Sequence, residues 1–119
     1  PKPPAAAAAP SLPAAPSPAG RSEWLARAAR DRARLKSGRA TRYAIQLELA
    51  CEVPSLADAW KHDRPAGSMW LLTSRHGSRD CFRVLWGRYR TLEAARRAKS
   101  GIPSFFSTPG NHPAVVSVP

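Results

Sequence analysis

Large apolar side chains are confined to one part of this chain, and that limits what can fold. The first 20 residues hold Leu12 as their one large aliphatic, no aromatic residue, a run of five alanines and seven of the 13 prolines. Such a stretch cannot bury enough apolar surface to offset the entropy of ordering it. It is expected to be a disordered linker, partly extended in polyproline geometry. Residues 41–119 hold three of the four tryptophans, both tyrosines and all three phenylalanines. One small domain follows. A domain of this size buries only roughly 60% of its unfolded surface, so a covalent crosslink matters to it. No run of 18 apolar residues occurs, so no membrane-spanning helix is expected. Beginning at Pro1 rather than Met, the chain is expected to be the tail of a larger protein.

The net charge of +11 is unevenly placed. Residues 21–40 carry seven basic and two acidic groups, while residues 41–119 carry 11 and six. Basicity is therefore densest just before the domain. Such a segment attracts polyanions, whether nucleic acid, anionic lipid or cell-wall polymer, or is simply a solvated arginine-rich face.

Local patterns place the elements. Ser22 is suited to cap a helix from Glu23 to about Leu35, ended by Gly38, with Trp24, Leu25, Ala28 and Leu35 as a weak apolar side. This helix either docks on the domain through Trp24 or stays free. Tyr43 to Cys51 alternates: Tyr43, Ile45, Leu47 and Leu49 on one face, Ala44, Gln46, Glu48 and Ala50 on the other. Ser55 then opens a short helix running to about His62, with Leu56, Ala59 and Trp60 inward. Ser68 to Ser74 is a second strand, Arg75 to Ser78 a hairpin loop, and Cys81 to Tyr89 a third strand. In that strand Phe82, Val84 and Trp86 share one face and Arg83 and Leu85 the other, while Gly87 marks a bulge or bend. Thr91 caps a helix with Leu92, Ala95 and Ala98 on its inner stripe. Ala114 to Val118 is a last strand.

The order βαββαβ predicts an α+β, ferredoxin/RNP-like fold. Its four-stranded antiparallel sheet has spatial order 4-1-3-2, with two helices on one face. The other face is left uncovered and is the natural binding surface. The basic helix and linker over residues 21–40 precede this domain at 41–119. No nucleophile, base and carboxylate stand at recognisable spacing around His62, His76 or His112. The two cysteines, 30 residues apart, make no metal-ligand pair. A non-catalytic module with no metal and no cofactor is expected.

The run Cys81-Phe82-Arg83-Val84-Leu85-Trp86-Gly87-Arg88-Tyr89-Arg90-Thr91-Leu92-Glu93-Ala94-Ala95 resembles the second half of the SPOR (sporulation-related repeat) domain. That family shows an aromatic, Arg-Val, a hydrophobic residue, Gly, an aromatic, then a capping Ser or Thr followed by Glu and Ala. Tyr43-Ala44-Ile45-Gln46-Leu47 is similar to its opening strand, and the likeness runs over residues 43–118. It implies a peptidoglycan-binding module of the bacterial periplasm that recognises septal glycan strands stripped of stem peptides during cell division. The glycan-binding residues implied are Gln46, Glu48, Leu49, Trp70, Arg83 and Leu85, of which strand parity puts Gln46, Glu48, Arg83 and Leu85 on the uncovered face. Glu48, Leu49, Ala50 and Ala114 depart from the family pattern, which has more hydroxyls and an aromatic there. The partners implied are glycan strands and division or envelope proteins. A monomer with no nucleic-acid partner and no membrane contact of its own is expected. Two other readings use the same fold: a protein-interaction module of an envelope complex, and an RNA-binding domain of the RNA-recognition type.

The strand order and an envelope location together point to a Cys51–Cys81 disulfide. The end of the first strand lies beside the start of the third, and oxidising compartments let disulfides persist. Parity opposes it, putting Cys51 on the core face and Cys81 on the other. A bulge near Ala50 resolves the conflict; the alternative is two free buried thiols.

Overall fold

The structure, a computed structural model, describes residues 20–38 and 40–119. The expected linker over residues 1–20 therefore lies, apart from Gly20, outside the described residues. The elements are α1 (Arg21–Gly38), β1 (Tyr43–Ala50), α2 (Val53–Trp60), β2 (Met69–His76), β3 (Arg79–Tyr89), α3 (Leu92–Ala98) and β4 (Ala114–Ser117), with short 3₁₀ turns at Lys99–Gly101 and Ser104–Phe106. The strands form one antiparallel sheet in the order β2-β3-β1-β4, the expected 4-1-3-2 arrangement. The fold class expected from the residue pattern is the one observed.

Two helix starts fall earlier than the polar residues suggest. Ser22 lies inside α1, whose first turn closes on the Gly20 carbonyl. Ser55 lies inside α2, which begins at Val53 with Pro54 in its first turn. Proline there lacks only a donor the helix leaves unpaired anyway, and its φ is preset. Thr91 does cap α3, its Oγ1 accepting from Ala94 N–H at 3.1 Å. Leu92, expected on the inner stripe, is exposed, and Ala95 alone of that stripe is fully buried.

One face of the sheet packs under α2 and α3. Ile45, Leu47, Leu71, Phe82 and Val84 meet Leu56, Ala59 and Phe106 there, all essentially without solvent contact. Helix α1 joins this core rather than staying free. It runs along the outer edge of β2, and its inward stripe is Trp24, Ala28, Asp31 and Leu35, the i, i+4, i+7, i+11 spacing of one helix face. Leu25, expected on that stripe, points outward. Asp31 takes the middle place because β2 is an edge strand with unpaired backbone donors. Its Oδ2 accepts from Leu71 N–H at 2.9 Å. The helix thus shields an edge that otherwise invites pairing with another chain.

Two register slips shape the sheet. Between Tyr43 and Ile45, β3 uses an extra residue next to Gly87, whose φ is +75°. A Cβ at Gly87 would meet the Tyr89 hydroxyl, so both space and conformation favour glycine there. The second slip lies in β1. Gln46 pairs with Leu85 but Glu48 with Val84, leaving Leu47 as the extra residue. The bulge expected near Ala50 sits three residues earlier. From Glu48 onward it inverts the parity: Leu49 and Cys51 turn to the face of Arg83 and Cys81, and Ala50 turns to the helix face.

Cys51 and Cys81 form a disulfide, with an S–S distance of 2.03 Å and Cα atoms 4.1 Å apart. They stand one step beyond the last ladder pair, Ala50–Phe82.

Candidate functional site

The face opposite α2 and α3 is uncovered only in part. Trp70, Leu72, Leu85 and Ala44 form a second small core there with Leu35 from α1, and Val116 and Val118 pack against it. Trp70 is 1% exposed and Leu85 0%. Neither is a surface platform, which corrects the expectation for both. The reason is α1: its last turns fold Leu35 over the β2 side of this face. The Trp70 indole donates to the Gly87 carbonyl at 2.9 Å, and the Arg88 guanidinium lies 5.1 Å over its ring.

Gln46, Arg83 and Leu49 remain accessible on this face. Arg83 Nε donates to Gln46 Oε1 at 2.8 Å. That bond orients both side chains and leaves the Gln46 amide N–H₂ and the Arg83 terminal nitrogens as donors. Leu49 pairs directly with Arg83 across the ladder and is 40% exposed. Apolar surface therefore stands beside a donor-rich, singly charged pair, bordered by the disulfide.

Glu48 is not part of this group. The Leu47 bulge turns it to the helix side, where it enters a cleft of about 350 Å³ with Ser55, Asp58, Phe105, Thr108 and Asn111. The cleft exists because β4 pairs only with residues 43–46 of β1. Beyond that, Asn111 Nδ2 takes over, donating to the Leu47 carbonyl at 2.9 Å. Phe105 stacks on His62, ring centroids 3.9 Å apart. The residue pattern carries no sign of Asp58, Phe105 or Asn111 at such a cleft, since a bulge and a long loop bring them together.

Burial, and then the Asp58 carboxylate, hold the Glu48 carboxyl above its ordinary value near 4.5. The folded state therefore binds this proton more tightly than the unfolded chain. Its contribution to stability is greatest below the ordinary carboxyl value and falls as pH rises through the raised one. Glu48→Gln is expected to flatten the dependence of the urea midpoint on pH as pH rises above the ordinary carboxyl value. An unchanged curve would place Glu48 in a water-like setting.

Ser74 Oγ and His76 Nε2 lie 3.0 Å apart on the exposed end of β2. No carboxylate among the described residues is hydrogen-bonded to His76, so the pair lacks the group that orients the imidazole in a catalytic triad. Among the described residues no three His, Cys, Asp or Glu side chains group as metal ligands, and no helix is long and apolar enough to cross a membrane.

No family model matches the chain, and no curated protein or solved structure is detectably similar to it.

Proposed function

We propose that this chain carries a non-catalytic module that binds denuded peptidoglycan glycan strands in the bacterial periplasm, through the Gln46–Arg83 pair. The observation that carries the reading is the 2.8 Å Arg83–Gln46 hydrogen bond on the accessible part of the sheet. It presents fixed donors to the acetamido carbonyls and hydroxyl oxygens of a glycan, with Leu49 against a sugar ring face. Removing a stem peptide leaves a lactyl carboxylate where an amide stood, and Arg83 is the cation beside which that carboxylate would pair. The Cys51–Cys81 disulfide is compatible with an oxidising compartment. The RNA-recognition reading is less well supported: Phe82 and Trp86 belong to the helix-side core and Trp70 is buried, so bases lack an aromatic platform on the accessible face.

Purified sacculi, with and without amidase treatment, test this reading. Binding is expected to rise on amidase treatment. Arg83→Ala is expected to weaken it by about tenfold, the scale of one hydrogen bond to a charged group, and Gln46→Leu by less, both with unchanged thermal unfolding. Equal binding to both sacculi, or full binding by both variants, would reject it.

A further inference from the structure

Four arginines converge on one small cavity at the sheet edge. Arg27, Arg30 and Arg34 come from one face of α1 and Arg88 from β3, with Gly67 and Met69 beneath them where β2 begins; the cavity holds about 190 Å³. Asp31 is the one carboxylate lining it; the Asp63 carboxylate behind it is taken by the Gly67 and Met69 N–H groups at 2.9 and 3.0 Å. Asp31 Oδ2 is taken by Leu71 N–H, and Arg34 stands 3.9 Å from Asp31 Oδ1. None of the ion pairs among the described residues involves Arg27, Arg30 or Arg88.

Two of these groups are already oriented. The Arg27 guanidinium lies 4.6 Å over the Trp60 ring and Arg88 lies 5.1 Å over Trp70. A guanidinium held over an indole face still has N–H groups to offer an oxyanion. Little side-chain entropy is then left to lose on binding.

We infer that this cavity is a phosphate site that takes a phosphate mono- or diester group. Its volume suits one tetrahedral oxyanion with its ester arms. Four guanidiniums against one committed carboxylate favour an anion, and the guanidinium fork matches in pairs the phosphate oxygens that monoesters and diesters share. Because the arginines come from α1 and β3, the bound anion ties the helix to the sheet. The phosphate is carried either by a soluble or polymer-borne ester or by a phospholipid headgroup. The inference does not depend on the glycan reading.

The test is titration of the full chain with glycerol 1-phosphate, followed by NMR at the Trp60 and Trp70 indole N–H groups and the arginine Nε–H groups. Saturable shifts confined to this edge are expected. Arg30→Gln/Arg34→Gln should weaken binding by about tenfold or more. Arg90→Gln/Arg96→Gln, which removes equal charge outside the cavity, should leave it within about twofold. Vesicles of phosphatidylglycerol and of phosphatidylcholine identify the source. Binding to the former alone, competed by glycerol 1-phosphate, assigns a lipid headgroup; glycerol 1-phosphate binding without vesicle binding assigns a soluble or polymer-borne ester. Absence of saturable shifts overturns the site, as does equal loss in both double variants. Binding of RNA or heparin without the small ester overturns it too, leaving a diffuse basic surface.

Discussion

Reduction of the Cys51–Cys81 disulfide, or its replacement by Cys51→Ala/Cys81→Ala, is expected to cost about 3.5 kcal/mol in the chain-entropy account of a loop of this length. The bridge closes a segment with a sequence separation of 30 that begins just after β1 and contains all of α2, all of β2 and the start of β3. Without it, the unfolded chain regains the freedom of that whole segment. The folded domain still holds the strands through the β1–β3 ladder, so the effect is expected mainly through the unfolded state. For a domain this small it corresponds to a fall of roughly 15–25 °C in Tm. Thermal unfolding with and without reductant measures it, beside the mass after alkylation without reduction. A shift under about 5 °C would mean that the unfolded chain keeps these segments close without the bridge.

Trp24→Ala is expected to cost about 3–5 kcal/mol, the range for removing a large aromatic from a packed core. Trp24 is 1% exposed and packs on Trp60 with ring centroids 5.4 Å apart. It anchors the N-terminal half of α1, so its loss also loosens the Asp31 contact that satisfies the Leu71 amide. Hydrogen exchange at Leu71 should therefore quicken together with the drop in stability. Trp24→Phe gives the opposite control. The Trp24 Nε1 is buried with no hydrogen-bond partner, and phenylalanine removes that donor while keeping most of the packing. Trp24→Phe is expected to stay within about 1 kcal/mol of the parent, since removing an unsatisfied donor offsets part of the lost contact. If Trp24→Ala left both urea unfolding and Leu71 exchange unchanged, α1 would not be part of the folded unit.

The accessible sheet face was legible in its strands and illegible in its cover. Alternation in Tyr43–Cys51 and in Cys81–Tyr89 marks two half-buried strands, and the side-chain parity of β3 holds from Cys81 to Trp86, before the extra residue beside Gly87. Gln46 and Arg83 follow from that parity and do meet. Trp70 and Leu85 share the same face by parity, yet they are buried, because what covers a strand face belongs to a distant element. Leu35 sits 35 positions before Trp70, and nothing local to β2 announces it.

The residue pattern by itself determined the order of elements, the strand order and the proximity of the two cysteines. Hydrophobic period, turn residues and the handedness of crossovers act over a few residues or through general rules of chain connection. Only the tertiary structure decided three further matters. The Leu47 bulge sets which face Glu48, Leu49 and Cys51 occupy, because one extra residue exchanges the faces of everything after it. The docking of α1 turned an apparently solvated arginine-rich helix into the shield of an edge strand, because Asp31 finds an unpaired amide 40 residues away. And Arg88 joins Arg27, Arg30 and Arg34 only once that helix is seated, since their shared cavity is made by the contact between two elements and belongs to neither alone.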